Sequence, residues 1–156
     1  MSIETVKKYL QPFHLDNRIQ EFSVSSATVE LAAQALDCEP CRIAKSLAFL
    51  VNETPVLIVA AGDAKIYNSK YKAAFGCKAK MLTPEQTLEL IGHAVGGVCP
   101  FAVKEGVKIY LDASLKRFTT VFPACGSSNS AIELSLSELE ICSHYTDWVN
   151  VCKNWV

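Results

Sequence analysis

The chain has no hydrophobic run long enough to span a bilayer, and its first residues, Met1 to Lys8, lack the basic-then-apolar pattern of a signal peptide. A soluble, cytoplasmic protein without membrane contact is the expectation. Neither sign of charge is in excess: 15 Lys and Arg stand against 16 Asp and Glu, a net charge of −1. That balance excludes a protein that coats nucleic acid through bulk charge. No repeat, low-complexity tract or linker divides the 156 residues, half of which are hydrophobic, so one domain over residues 1–156 is expected. Cysteine pairing has little to work with, since the seven cysteines (38, 41, 77, 99, 125, 142 and 152) are odd in number and a chain of this length stabilises itself by burial. They read as reduced thiols. Only Cys38 and Cys41 have CxxC spacing, and no second Cys or His pair accompanies them, which leaves a zinc or redox site without its other half. No metal and no other cofactor is expected.

What is present alternates between two periods. Ser2 to Leu10 reads as a short helix, and Val29, Ala32, Ala33 and Leu36 keep helical spacing within Ala27–Leu36. Ile43–Val51 and Pro55–Ala61 are β-rich runs joined by Asn52-Glu53-Thr54, the pattern of a hairpin. Asn68–Phe75 reads as a helix with Gly76 just past its end. Thr83-Pro84-Glu85-Gln86 is a capping box with proline in the first turn, opening a helix to about Ile91. Val107–Leu111, Arg117–Phe122 and Ala131–Leu134 read as strands, and Ser135-Leu136-Ser137-Glu138 caps a last helix. The tail from Tyr145 to Val156, with Trp148 and Trp155, is apolar enough to dock on the core. Without regular β-α-β alternation, the order favours an α+β fold with a mostly antiparallel sheet.

Three features carry chemistry. Gly92 to Phe101 joins two adjacent glycines, free in φ, to Pro100, which fixes it. The loop is either a tight turn or a wall that brings main-chain N–H groups to a ligand. Lys45 enters an otherwise apolar strand, where an ammonium must reach a partner or a wet cleft. It either snorkels to solvent or faces an anionic or developing oxyanionic group. Between Ala64 and Lys80 stand five lysines (65, 70, 72, 78 and 80) and no acid, with Tyr67, Tyr71 and Phe75 interleaved. This stripe is either a solvated helix face or a patch that contacts phosphates of a short nucleic-acid segment.

Lys45 within Ile-Ala-Lys-Ser-Leu, the loop from His93 to Phe101, the Tyr110-Leu111-Asp112 strand end and the Gly126–Leu134 segment occur in the order seen in the YbaK-like family, and the chain resembles that family from about Val29 to Glu138. These are the prolyl-tRNA editing domains and their free-standing relatives. The resemblance implies a single domain, a mixed β-barrel flanked by helices, that hydrolyses amino acids wrongly esterified to tRNA, typically proline tRNA carrying Cys, Ala or another small residue. It marks Lys45 as the key functional side chain and Gly96, Gly97, Val98, Cys99, Pro100 and Phe101 as pocket wall, with Gly126 and Ser127 beside them. Lys65, Lys70 and Lys72 are the candidate contacts to tRNA. The implied partners are the acceptor end of a mischarged tRNA and, transiently, a tRNA synthetase. Ala102 departs from the family pattern, where glycine is common after Pro-Phe, and Ala131 stands where some relatives carry an acid.

Ester hydrolysis needs an oriented nucleophile and a stabilised oxyanion. Main-chain N–H groups around Gly96 and Gly97 are candidates for the second task. Water, or a hydroxyl or thiol of the substrate, is the attacking group, so no protein nucleophile is required. Cys99 reads as pocket lining and His93 as a histidine that bonds carbonyls left free at a helix end. Two other classes remain open: a non-catalytic module of the same fold that binds aminoacyl-tRNA or an amino acid, and a thiol or zinc protein built on Cys38 and Cys41.

Overall fold

The two longest apolar runs of the chain pair with each other, and the remaining elements are arranged around that hairpin. A computed structural model describes residues 3–155. In chain order the elements are α1 (Ile3–Leu10), β1 (Gln20–Glu21), α2 (Val29–Leu36), β2 (Ile43–Val51), β3 (Thr54–Ala61), β4 (Lys65–Ile66) and α3 (Asn68–Phe75). There follow α4 (Pro84–Gln86), β5 (Lys108–Asp112), β6 (Thr120–Pro123), β7 (Ser130–Ala131), β8 (Leu134–Ser135), α5 (Leu136–Ser143), β9 (Asp147–Val149) and β10 (Cys152–Lys153). Of the anticipated Ser2–Leu10 helix, Ser2 lies outside the described residues, as do Met1 and Val156.

One curled, mixed sheet in the order β8-β6-β2-β3-β5-β9 forms the centre, with helices on its flanks. The β2–β3 and β6–β8 pairs are antiparallel, as are the small β1–β7 and β4–β10 ladders. The β2–β6, β3–β5 and β5–β9 pairs are parallel. Antiparallel pairing thus leads by one pair; the crossovers that return β5 and β6 alongside the hairpin were not visible in local sequence. β3 is central because Val56 to Ala61 is apolar on both faces, and all six residues are buried. Full burial of Leu57, Ile58 and Val59 contributes roughly 1.5–3 kcal/mol each.

The hairpin turn is two residues long, not three. Asn52 and Glu53 both have positive φ, +48° and +70°, the geometry that matches the twist of the flanking strands. Both capping boxes form: Thr83 with Gln86 and Ser135 with Glu138, each satisfying two main-chain donors. The helix opened by Thr83 loosens after Gln86 into a π turn over Thr87–Ile91, ended by Gly92 at φ +100°. Arg117, anticipated in a strand, instead ends a 3₁₀ turn over Ala113–Arg117, and β6 begins at Thr120. Within Ala131–Leu134 only the ends are strand, belonging to β7 and β8.

The tail docks through a buried carboxylate. Asp112, fully buried, accepts from Ser114 N–H at 3.0 Å through Oδ2 and from Val151 N–H at 2.9 Å through Oδ1. β9 then lies parallel to β5 and β10 pairs with β4, covering the core edge with Val151 and Cys152. Among the described residues no helix is long and apolar enough to cross a membrane.

Candidate active site

Lys45 lies on β2 opposite Ala60 of β3. Its side chain is half-buried, and its Nζ donates to the carbonyls of Ala64 and of Gly62, the latter at 3.4 Å. Burial pulls its ammonium below the usual lysine range, while the Asp63 carboxylate opposes that shift. The turn that receives it is fixed from three sides. Ala64 N–H donates to Ala61 O at 3.0 Å, and Arg117 grips Asp63 through two bonds of 2.6 and 3.0 Å. Gly62 lies so close to Pro40 that a Cβ there would stand 2.0 Å from the Pro40 carbonyl oxygen. The cation is therefore partnered, and Lys45 also forms part of the wall of a cavity of about 340 Å³.

Val95, Gly96 and Val98 line that cavity from the glycine loop. The two glycines serve different needs. Gly96 adopts φ +100°, open to glycine at little cost, whereas Gly97 needs space: a Cβ there would lie 2.7 Å from Gly126 C and from Ser127 N. Gly126 N–H donates to Gly97 O at 3.1 Å, which stitches the glycine loop to the serine-rich loop. Ser128 O in turn accepts from Ser26 N–H at 2.6 Å, tying both loops to the segment before α2. Gly97, Cys99, Pro100, Phe101, Gly126 and Ser127 stand behind the wall rather than in it. Phe101 is fully buried, its ring 6.4 Å from that of Tyr9. The Gly97 N–H, a candidate oxyanion donor, is committed to Ala94 O at 3.0 Å.

Several wall residues escaped the sequence reading. Ser26, Ala27 and Thr28 approach from the start of α2, where the Thr28 hydroxyl caps the helix by accepting from Leu31 N–H at 3.1 Å. Met81, Leu82 and Thr87 close one side; Phe122, Ala124 and Ser130 close the other. Ala131, noted as a departure from the family pattern, is also in the wall. Ser46 was legible in principle, because it and Lys45 are adjacent polar residues in an apolar run. Its Oγ is shut off from solvent and finds no hydrogen-bond partner among the described residues.

Cys99 and His93 lie together, Sγ to Nε2 3.6 Å, yet their hydrogen bonds do not make a nucleophile and its base. His93 Nε2 is 2.7 Å from Phe101 O, so that nitrogen carries the proton and donates to the carbonyl. It has no lone pair for the thiol. Burial pushes the Cys99 thiol up to about 12 and depresses the His93 pKa. His93 does bond a carbonyl, but one from the glycine loop rather than from a helix end.

The basic stripe divides. Tyr71 is fully buried and stacks between Phe49 and Phe75, at 5.2 and 4.8 Å between centroids, so two of the interleaved aromatics belong to the core. Tyr67 remains exposed, with Lys153 Nζ 5.1 Å from its ring centre. Lys70 is spent on the tail, donating to Asn150 Oδ1 at 3.3 Å and Cys152 O at 3.1 Å. Lys65 and Lys72 are exposed. Cys38 and Cys41 flank the turn that presses Pro40 onto Gly62, and among the described residues no group of three His, Cys, Asp or Glu side chains converges to hold a metal ion.

A family model described as an aminoacyl-tRNA editing domain matches residues 24–141, a span holding Lys45, both loops and the cavity. The chain belongs to the aminoacyl-tRNA editing domain family. As a member of that family it is 51% identical over 156 residues to the uncharacterized protein YwhH of Bacillus subtilis (strain 168), covering 99% of each chain. It is 34% identical over 104 residues to the proline–tRNA ligase of Halalkalibacterium halodurans, a match covering 66% of this chain but only 18% of the ligase. A solved structure provisionally described as a trans-editing enzyme for prolyl tRNA synthetase superposes with a TM-score of 0.87 at 27% identity, covering 97% of this chain and 96% of that one. The editing-domain fold thus extends over the curled sheet and its helices.

Proposed function

We infer that the protein is a trans-acting aminoacyl-tRNA deacylase that cleaves the ester of mischarged tRNA, with proline tRNA bearing cysteine, alanine or another small amino acid as its substrate. The observation that carries this is Lys45, a half-buried ammonium held at the wall of a cavity near the lower end of ligand-pocket volumes, roughly 300–1,000 Å³. A cavity of that size selects by exclusion, the logic of a second sieve behind a synthetase that cannot separate similar small side chains. The family membership and the likeness to synthetase-associated relatives support the reaction class.

In the reaction, water adds to the ester carbonyl carbon and loses a proton. The tetrahedral oxyanion then collapses, the bond to the ribose oxygen breaks, and that oxygen takes a proton, releasing free amino acid and intact tRNA. Lys45 orients the acceptor end or the ester through its positive charge. Gly96 and Val98 shape the aminoacyl pocket, while Cys99 and Phe101 fix the loop from behind. Lys65 and Lys72 offer positive charge to the tRNA backbone.

Purified protein is tested against a panel of mischarged tRNAs, with Lys45→Ala as control. Release of amino acid from mischarged proline tRNA, lost in the folded variant, is the expected result. Tight binding without turnover across the panel would instead make it a binding module, and unchanged turnover in Lys45→Ala would remove the lysine from the mechanism.

A further inference from the structure

The outer edge of β2 is interrupted where the cavity lies. β6 pairs with β2 only at Ile43 and Ala44. Residues 80–82 take over further along, Leu82 N–H donating to Ala48 O at 3.0 Å and Leu50 N–H to Lys80 O at 2.9 Å. Ser46 falls between them. The hairpin closes on Val51 opposite Thr54 across a two-residue turn, so residues 51, 49, 47 and 45 exchange bonds with β3 while 50, 48, 46 and 44 turn theirs outward. The outward bonds of Leu50 and Ala48 agree with that alternation. Ser46 therefore presents its N–H and C=O at the gap. The cavity fills the gap, with Met81 and Leu82 on one side and Phe122 and Ala124 on the other. The same residue's Oγ is buried there without a partner.

Buried main-chain donors and acceptors are rarely left orphaned. An α-aminoacyl ester carries the complementary pair, a carbonyl oxygen that accepts and an α-ammonium that donates, one carbon apart as in a strand residue. We propose that Ser46 binds the aminoacyl group as a single residue of added strand. Its N–H donates to the ester carbonyl oxygen and stays on that atom as it becomes the oxyanion; its C=O accepts from the α-ammonium. The oxyanion donor thereby moves from Gly97, whose N–H is occupied, to β2. Recognition through the backbone is blind to the side chain, which leaves the choice of amino acid to the rest of the cavity.

This inference rests on the deacylase reading, and the experiment separates the two. The Ser46 N–H is replaced by an ester oxygen through incorporation of the α-hydroxy analogue of serine, and independently by Ser46→Pro, tolerated at an edge whose N–H serves no ladder. On the mischarged tRNA that the wild type cleaves fastest, kcat falls about 100-fold or more with KM little changed, as for removal of one oxyanion donor. The N-acetylated form of that substrate, lacking the ammonium, shows a raised KM with wild type. A folded ester variant within threefold of wild-type kcat overturns the proposal and leaves the deacylase reading standing. Should no charged tRNA be cleaved, the deacylase reading fails, and titration of ¹⁵N-labelled protein with a 3′-amide-linked aminoacyl-adenosine decides the binding claim alone. A shift of the Ser46 amide supports it and an unmoved amide overturns it.

Discussion

The amide of Gly126 donates to the carbonyl of Gly97 across 3.1 Å, and the two backbones are so close there that a single added carbon on Gly97 would stand 2.7 Å from Gly126 C. Neither contact partner is a flexible side chain. Gly97→Ala must therefore push the two loops apart, at a cost of about 1–3 kcal/mol, and move Gly96 and Val98 in the cavity wall. Chemical denaturation and the deacylation assay measure the two effects. Gly76→Ala is the control: Gly76 at φ +77° has open space around it, so it costs about 1 kcal/mol of backbone strain and leaves deacylation unchanged.

Cys99 is the residue most easily mistaken for a nucleophile, and its surroundings predict inertness. The thiol is fully buried, un-ionised at neutral pH with its pKa pushed up to about 12, and faces a histidine nitrogen that already carries a proton. Folded protein treated with iodoacetamide at pH 7.5 keeps Cys99 unmodified by peptide mass mapping and retains its deacylase activity. Cys99→Ala keeps kcat within about threefold; a loss of 10³-fold or more would restore the thiol as nucleophile.

The legible parts of the fold were those set by neighbours in sequence. Both capping boxes, the Asn68–Phe75 helix with Gly76 at its end, and the hairpin formed where local pattern placed them. The parallel pairings of β5, β6 and β9 were not, because they depend on contacts across tens of residues that no local period encodes. In the site, Lys45, Gly96 and Val98 reached the wall, joined by Val95, which the sequence had not singled out, while Gly97 and Cys99 to Phe101 became its support. Ser26, Thr28, Met81 and Phe122 were missed for the same reason as the topology: they meet only once the sheet has curled.

A departure from family pattern gains a physical meaning at Ala102. It adopts φ +56°, the left-handed region that a Cβ disfavours and that glycine enters freely. Ala102→Gly relieves about 1 kcal/mol of local strain, partly offset by the greater freedom of glycine in the unfolded chain. A small rise in Tm, with deacylation unchanged, is the outcome to look for in calorimetry.

For tRNA binding, the stripe's division predicts which lysines matter. Lys65 and Lys72 are exposed and available to phosphates, whereas Lys70 holds Asn150 and Cys152. Neutralising Lys65 and Lys72 together lowers the slope of log K against log salt by about 2, one for each lost contact. Lys70→Ala leaves the slope in place and loosens the tail, seen as faster hydrogen exchange over β10. An unchanged slope in the double variant would leave the stripe a solvated face.

Lys45 predicts opposite pH trends for activity and stability. Burial holds its folded-state pKa below 10.5, so the ammonium on which the proposed reaction would depend begins to be lost on the alkaline side before an ordinary lysine would. After subtraction of spontaneous ester hydrolysis, kcat/KM falls along an alkaline limb whose midpoint lies below 10.5. Stability runs the other way for this group. Between the folded pKa and 10.5 the unfolded chain binds the proton more tightly, so Lys45's contribution to ΔG of unfolding rises with pH through that window. Buried tyrosines and cysteines titrate nearby, so the reading is the difference between wild type and Lys45→Met. That difference should grow in favour of the wild type as pH rises from neutrality toward 10.5. An activity limb at or above 10.5 would mean that the charge on Lys45 is not what the reaction uses.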